Sequence, residues 1–504
     1  MLWGGLVVAP GPHDNDWPLL MWLAKHASWR DLSPLAIGHY GPAQLLLAWW
    51  LYPLFGSTLV AAKVLSTLAL LGCVACLYLM TRHEHGQAPA LMAAAAFGLS
   101  ASALQTGQSE FADAPALAAL LAGLCLWWRA ESGGDRRGAL LAGVLLGSAG
   151  LLRTHFVFFS LGSALLAALA GVVLPGGRSR AARASAGLAL VVGALLGNLP
   201  GFLLNLWVHG QLGSAVASTF VGQVLYGVDE LDLPGSYAAH PLGQIVRERP
   251  LDILRLMAAR GREQPALWLV PVVTAGLALW RRRVWPAAVL RHVLLFSALA
   301  FMYFWLFVSL AWWLWPRVVL PIVALDCWLM VAVTAQLLWG AFRFSRALCC
   351  LVFAIVLAVR WPGSLRELEA RWRESQRWWS ASTELVQALR QRGMQDAREA
   401  FVFDWNRFVV DDPELQPFYN FGFWNLLLPE FSAERPLPTR YMGELPELSV
   451  FLENHGVRFF VLPKDPRQVA RFPALVQLLE GTQALPGFHR EADLASDVLF
   501  QHGG

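Results

Sequence analysis

The feature that most constrains this chain is a succession of apolar runs divided by short loops, in which arginine-bearing and arginine-poor loops alternate. A helix that crosses the hydrocarbon core needs about 20 predominantly apolar residues. Runs of this kind cover Leu59–Met80, Ala88–Gln105, Ala112–Trp128, Ala139–Leu152, Phe156–Leu174, Gly187–Val208, Ala266–Trp280, Val293–Ala311, Val318–Leu338 and Ala347–Val359. With the apolar start of the chain they predict a polytopic α-helical membrane protein of about ten or eleven transmembrane helices. Composition points the same way. Hydrophobic residues make up 56% of the 504 and charged residues 15%, against about a quarter charged in soluble domains.

Arginine placement orients the predicted bundle. Arg82, then Arg129, Arg136 and Arg137, then Arg178, Arg180 and Arg183, then Arg281–Arg283, then Arg343 and Arg346 fall in alternate loops. The positive-inside rule makes those loops cytoplasmic. The connections Thr106–Glu110, Arg153–His155 and Trp312–Arg317 are then expected on the outer face, with loops 10–57 and 209–265. Met1–Pro10 would make a helix of only about 15 Å, about half of a ~30 Å core. A truncated first helix, or a start further upstream, is expected there; a basic n-region and an A-x-A site are both lacking.

Residues 361–504 change character. Leu365–Arg392 reads as a charged amphipathic helix, Ala400–Phe403 as a strand, Glu447–His455 as a helix and Val457–Leu462 as a strand. This predicts a C-terminal soluble α/β domain, extracytoplasmic by the same alternation, behind a transmembrane domain of residues 1–360. The two parts differ in charge: 24 Lys+Arg against 15 Asp+Glu in 1–360 (net +9), and 15 against 20 in 361–504 (net −5). An acidic, mixed-charge tail offers nucleic acid no footprint, and the tail contains neither G-x-G-x-x-G nor a P-loop. All six cysteines (Cys73, Cys76, Cys125, Cys327, Cys349, Cys350) lie in apolar stretches, so Cys73-x-x-Cys76 reads as helix packing rather than metal or redox chemistry.

Polar residues that could carry chemistry collect on the predicted outer face. His13-Asp14-Asn15-Asp16-Trp17 follows the first apolar stretch. It can be a capping loop, or it can supply a general base, since an acid at a membrane surface can take a proton from an acceptor hydroxyl. Gly38-His39-Tyr40-Gly41-Pro42 reads as a turn ahead of Leu45–Phe55, a stretch suited to the interface. Asp113 follows Glu110 at the start of an apolar helix. The helix dipole favours an acid there, and carboxylates at a membrane border are also functional candidates. Arg153-Thr154-His155 and Arg317 stand at helix ends. Such arginines commonly snorkel to headgroups, but an arginine also holds phosphate bidentately. A reaction that needs a base and a stabilised phosphate leaving group fits this set. Asp326, two turns further along the helix of Arg317, is too costly to face lipid.

In order and in topological side these segments resemble type C glycosyltransferases of the protein O-mannosyltransferase and lipid A aminoarabinose transferase kind, family 39-like. HDNDWPLLMWLAKHASWRDLSPLAIGHYGPAQLLLAWWLYPLFGSTLVAAKVLSTLAL is similar to their first outer loop and second helix. SEFADAPALAALLAGL resembles their second acid at a helix start, LLGSAGLLRTHFVF their glycine-rich helix ending in a basic residue, and PRVVLPIVAL their Pro-Arg-Tyr-Leu-Leu-Pro segment. The resemblance spans the membrane half. It implies that Asp16 is the first-loop acid, with Asp14 its rival, that Asp113 is the second acid, and that Arg317 contacts lipid phosphate. The His/Lys of the family's turn corresponds to His39 or Tyr40. Where the family often shows Asp-Glu this chain has Asn15-Asp16-Trp17, and the oligosaccharyltransferase Trp-Trp-Asp signature is missing because Leu314 follows Trp312-Trp313.

The implied reaction is an inverting transfer of a hexosyl or pentosyl group. A hydroxyl of a lipid, glycan or protein acceptor, deprotonated by Asp16, attacks a sugar carried on polyprenyl phosphate. Arg317 or Arg153 steadies the departing phosphate, with His155 beside them. No cofactor is required with certainty, and a divalent cation is left open. The cell envelope and a bacterial inner membrane are the expected setting. A transporter or flippase of lipid-linked substrates and a non-catalytic envelope scaffold are the competing readings. The halves do not resemble each other as a transporter's repeats do.

Overall fold

The computed structural model of the chain describes residues 21, 25, 30, 41–173, 179–209, 242–283, 285–310, 316–337, 346–403, 407–409, 416–418, 444–470 and 472–503. Its first long element is α1 (Pro42–Phe55), started by a proline and closed by Gly56 in the left-handed conformation (φ 64°). Ser57 then caps α2 (Thr58–His85), its hydroxyl accepting from the Val60 amide. The run Ala88–Gln105, expected as one span, is instead two helices, α3 (Gln87–Gly98) and α4 (Ala101–Gly107), bent by 64°. The cause is local. Ser100 accepts a hydrogen bond from the Ala103 amide at 3.2 Å, so the chain can stop after Gly98 and restart with its first turn capped.

The bundle continues through α5 (Asp113–Gly133), α6 (Arg136–Leu152), α7 (Phe156–Val173) and α8 (Arg180–His209). After α9 (Leu242–Glu248) and α10 (Pro250–Glu263) come α11 (Pro265–Trp280), α12 (Ala287–Leu306), a 3₁₀ turn (Val308–Leu310) and α13 (Pro316–Thr334). Among the described residues five helices are long and apolar enough to cross a membrane: Thr58–His85, Phe156–Val173, Arg180–Trp207, Ala287–Leu310 and Arg317–Leu337; the bent pair is a sixth. The remaining expected runs up to Leu338 fall on α5, α6 and α11. Large apolar side chains such as Leu68, Leu141, Phe158 and Leu188 are 60–70% exposed around the bundle, the surface an integral membrane protein presents to lipid.

Small residues set the closest packing. A Cβ on Gly143 would lie 2.1 Å from the Leu190 carbonyl oxygen, and one on Gly197 would lie 2.3 Å from that of Val144, so α6 and α8 touch backbone to backbone. At the end of the bundle that bears Arg82, Arg129 and Arg281–Arg283, buried polar groups clamp the helices together. Arg291 donates to Glu131 Oε2 at 2.9 Å, His292 Nδ1 lies 2.5 Å from Glu84 Oε1, and Gln336 Nε2 lies 3.3 Å from His85 Nδ1. The turns of Arg82, Arg129 and Arg281–Arg283 therefore share one end.

The last expected span and the amphipathic helix after it form one element, α14 (Arg346–Gln391), whose 46 residues make it about 70 Å long. It carries the chain into a four-stranded sheet of order β1-β4-β6-β5 built from β1 (Ala400–Val402), β4 (Phe459–Pro463), β5 (Phe488–Asp493) and β6 (Asp497–His502). The short strands β2 (Phe408–Val409) and β3 (Gln416–Pro417) pair separately. β1 and β4 are parallel, joined by a crossover containing α15 (Leu445–Asn454), and β6 runs antiparallel to both β4 and β5. Strand alternation divides the side chains between two layers. Phe401, Phe460 and Phe500 pack against Leu448 and Leu452 of α15. Val402, Phe459, Val461 and Leu499 pack against Leu385, Val386 and Leu389 of α14. The C-terminal domain thus uses the membrane-derived helix as part of its own core. Gln105 Nε2 of α4 donates to Glu367 Oε2 of α14 at 3.3 Å.

Candidate functional site

At the end of the bundle opposite the Glu84–His292 clamp, helix starts and stops bring together polar residues distant in sequence. α5 begins at Asp113, which is fully buried. α6 ends where Arg153 turns extended, and α7 begins one residue after His155. α6 and α7 are antiparallel neighbours with a very short connection, so Arg153 and His155 are both directed at the start of α5. Arg153 Nε stands 3.4 Å from Asp113 Oδ1 and His155 Nε2 3.9 Å from the same oxygen, with all three side chains at most 8% exposed. Arg317, at the start of α13, reaches this point through Phe111. Its Cζ lies 3.9 Å from the Phe111 ring centroid, and the Arg153 Cζ lies 6.0 Å from that ring. Both guanidinium groups therefore sit over one aromatic ring.

The loop that carries Phe111 and Asp113 is fastened by α2. Thr67 Oγ1 donates to the Gly107 carbonyl and Ser66 Oγ to the Phe111 carbonyl, each at 2.8 Å, and Cys73 Sγ approaches the Ala114 carbonyl at 3.8 Å. Gln44 Nε2 of α1 donates to the Glu110 carbonyl at 3.2 Å. Lys63, one turn before Ser66 and only 1% exposed, is electrostatically coupled to the fully buried Glu110. Ser66, Thr67 and Cys73 recur at helical spacing from Lys63, so one stripe of α2 grips the acidic loop.

Aromatic residues at the end of α12 close the other side. Phe307 stacks on His155 (centroids 4.2 Å, interplanar 15°), and Tyr303 packs on Phe159 and Phe307. Tyr303 is electrostatically coupled to Asp113 and Arg153. Among the described residues, its hydroxyl and both Asp113 carboxylate oxygens are buried without a hydrogen-bond partner. Buried polar atoms are ordinarily satisfied, so such atoms at one point mark a place built for a polar ligand or solvent.

Of the expected site residues, Asp113, Arg153, His155 and Arg317 are brought together. Asp14, Asp16, His39 and Tyr40 lie outside the described residues. The residue that follows the latter pair is placed: the Gly41 amide donates to the Leu152 carbonyl at 3.1 Å, next to Arg153. Lys63, Phe111 and Tyr303 were not singled out from the sequence. Only Lys63 carried a usable signal, as a lone charge just inside an apolar helix. Among the described residues no group of three or more His, Cys, Asp or Glu stands ready to hold a metal ion, and Cys73, Cys76, Cys125 and Cys327 form no disulfide.

This fold is that of the type C membrane glycosyltransferases, the class its motifs resemble. Residues 39–200 match the family described as dolichyl-phosphate-mannose-protein mannosyltransferase. That stretch holds the Gly41 turn, the acidic loop, Asp113, Arg153 and His155. Two solved structures extend the likeness over nearly the whole chain. ArnT from Cupriavidus metallidurans, bound to undecaprenyl phosphate, superposes with a TM-score of 0.54 over 97% of this chain and 93% of its own, at 13% identity. The archaeal oligosaccharyltransferase AglB from Archaeoglobus fulgidus, in complex with an inhibitory peptide and a dolichol-phosphate, does so with a TM-score of 0.52 over 98% and 70%, at 12% identity. No curated protein matches by sequence.

Proposed function

We propose that this protein transfers a sugar from a polyprenyl-phosphate-linked donor to an acceptor on the extracytoplasmic side of a bacterial inner membrane, with inversion at the anomeric carbon. The observation that carries the reading is the meeting, at one end of the bundle, of a buried carboxylate with two arginines gathered over a single ring. Two solved relatives in fold hold undecaprenyl phosphate and a dolichol-phosphate. In the reaction, the acceptor hydroxyl oxygen bonds to the anomeric carbon as the bond from that carbon to the phosphate oxygen breaks. The hydroxyl proton passes to Asp16, for which Asp14 is the alternative, and the electron pair leaves on polyprenyl phosphate.

Arg317 and Arg153 stabilise the phosphate charge as it develops, where a dry site makes each charge-assisted contact strong. Asp113 holds Arg153 in place through the ion pair described above, with His155 Nε2 3.9 Å from the same carboxylate oxygen. His39 or Tyr40 is assigned to the donor phosphate by the resemblance of the turn that ends at Gly41. The domain 361–504 stands on the same outer side, as an accessory to the site in residues 1–360.

The experiment is incubation of purified protein with a panel of polyprenyl-phosphate sugars, reading release of free polyprenyl phosphate. Release with one donor class is expected, together with loss of about 10²–10⁴-fold in Asp16→Asn. Full activity in both the Asp14→Asn and Asp16→Asn single variants would remove the proposed base. Lipid flipping without a covalent product would replace the whole reading with transport.

A further inference from the structure

α10 (Pro250–Glu263) has an apolar strip that its packing against the bundle does not use. One side of the helix is fixed to the site end. Gly261 is buried so closely under Trp305 of α12 that a Cβ would meet the indole at 2.8 Å, and Trp268 Nε1 donates to the Gly261 carbonyl at 2.9 Å. Ile253, Leu256 and Met257 lie on this inner, partly buried side. At 100° per residue, Leu251 and Ala258 lie opposite Ile253, Leu256 and Met257, and Leu254 lies at the edge of that outer arc, two turns before Gly261; Leu251 is 65% and Leu254 59% exposed. Arg255, 79% exposed at its side chain, and Arg262, also exposed, stand on the same arc. A helix that only covered the protein would be polar there.

The occupant of that strip follows from its continuity with the lipid-facing surface. α10 runs through Gln264 directly into α11, whose Leu269, Val272, Val273 and Leu279 are 40–53% exposed on an apolar helix. Leucines and arginines on one arc suit the boundary between headgroups and acyl chains, where leucines enter the hydrocarbon and arginine stems run beside it with their charges among phosphates.

We infer that α10 is an interfacial helix docked on the bilayer at the Asp113 end of the bundle, with Leu251 and Leu254 in the acyl-chain boundary and Arg255 and Arg262 on anionic lipid phosphates. Its position depends on the bundle lying in a membrane and not on which sugar is transferred.

The test places a photoreactive benzoylphenylalanine at Leu251, Leu254 or Met257 of the full chain, held in nanodiscs of phosphatidylcholine with or without phosphatidylglycerol. Mass spectrometry then identifies the adducts. Lipid adducts several-fold more abundant at 251 and 254 than at 257 are expected, biased toward phosphatidylglycerol. That bias should fall in the Arg255→Gln/Arg262→Gln variant. Adducts at 251 and 254 to this chain, to a second copy or to no lipid would overturn the docking. An unchanged phosphatidylglycerol bias in the double variant would overturn the role of the arginines. Leu254→Phe, checked for monodispersity and thermal midpoint, controls for folding.

Discussion

Replacing Asp113 with asparagine separates what the acid does for the fold from what it does for the reaction. In the folded protein its carboxylate stands 3.4 Å from Arg153 Nε, with both side chains at most 8% exposed. At an effective dielectric of about 20, a unit pair at that distance interacts by roughly 5 kcal/mol. Removing one partner of a buried pair costs about 3–5 kcal/mol, because the other charge is left in a dry site. Asp113→Asn should therefore lower stability by about 3 kcal/mol or more, read as a lower thermal midpoint in detergent or nanodiscs. Arg153→Gln added to it removes the stranded cation, so Asp113→Asn/Arg153→Gln should recover most of the midpoint. Transfer should stay depressed in the double variant, since it lacks both the acid and one phosphate-holding arginine. A double variant that regained both stability and transfer would refute the assignment of these residues to the chemistry. An Asp113→Asn variant as stable as the parent would refute the ion-pair reasoning itself.

Other perturbations probe the supports of the site. Gly41→Ala would put a Cβ 1.9 Å from the Leu151 carbonyl oxygen. The resulting backbone shift should cost about 1–3 kcal/mol and reduce transfer, and an Ala variant with unchanged midpoint and turnover would contradict the tight anchor. A double-mutant cycle of Lys63→Met and Glu110→Gln should yield a coupling of about 0.5–3 kcal/mol, and a coupling of zero would show that the two charges do not meet. In the C-terminal domain, the hydrogen bond from Arg398 holds the Asp396 carboxyl below its ordinary value. A carboxyl depressed on folding stabilises above its unfolded pKa, and the contribution fades as pH falls through the folded value. Asp396→Asn should thus flatten part of the acid-side loss of domain stability below about pH 4, an effect kept small by solvent screening. Asp497→Ala, which removes the carboxylate to which Arg407 Nε donates at 3.0 Å and leaves a buried guanidinium without it, should destabilise the domain by about 3–5 kcal/mol.

The sequence by itself determined the membrane half, because apolar length and arginine alternation are local quantities that a bilayer reads directly. It also set out the helix-then-sheet character of the tail, through the change from continuous apolar runs to short strands and a charged helix. The glycines of α6 are visible in the sequence, but that they let α6 touch α8 backbone to backbone is a matter of packing. The 64° bend between α3 and α4 was hidden because Gly98-Leu99-Ser100 is apolar enough to read as helix interior. Tyr303 and Phe111 were hidden for a similar reason: an aromatic in an apolar segment is indistinguishable from core until its neighbours are known.

Tertiary structure alone decided which helix ends meet. Asp113, Arg153 and Arg317 belong to three helices, and nothing within any of the three segments requires their ends to converge. They converge because α5, α6 and α13 pack with their termini at a common depth, while the Glu84–His292 contact and the Arg291–Glu131 ion pair clamp the far end. Which charges become neighbours is thus set by helix packing across long sequence separations, whereas where the chain enters and leaves the membrane is set by solvation residue by residue.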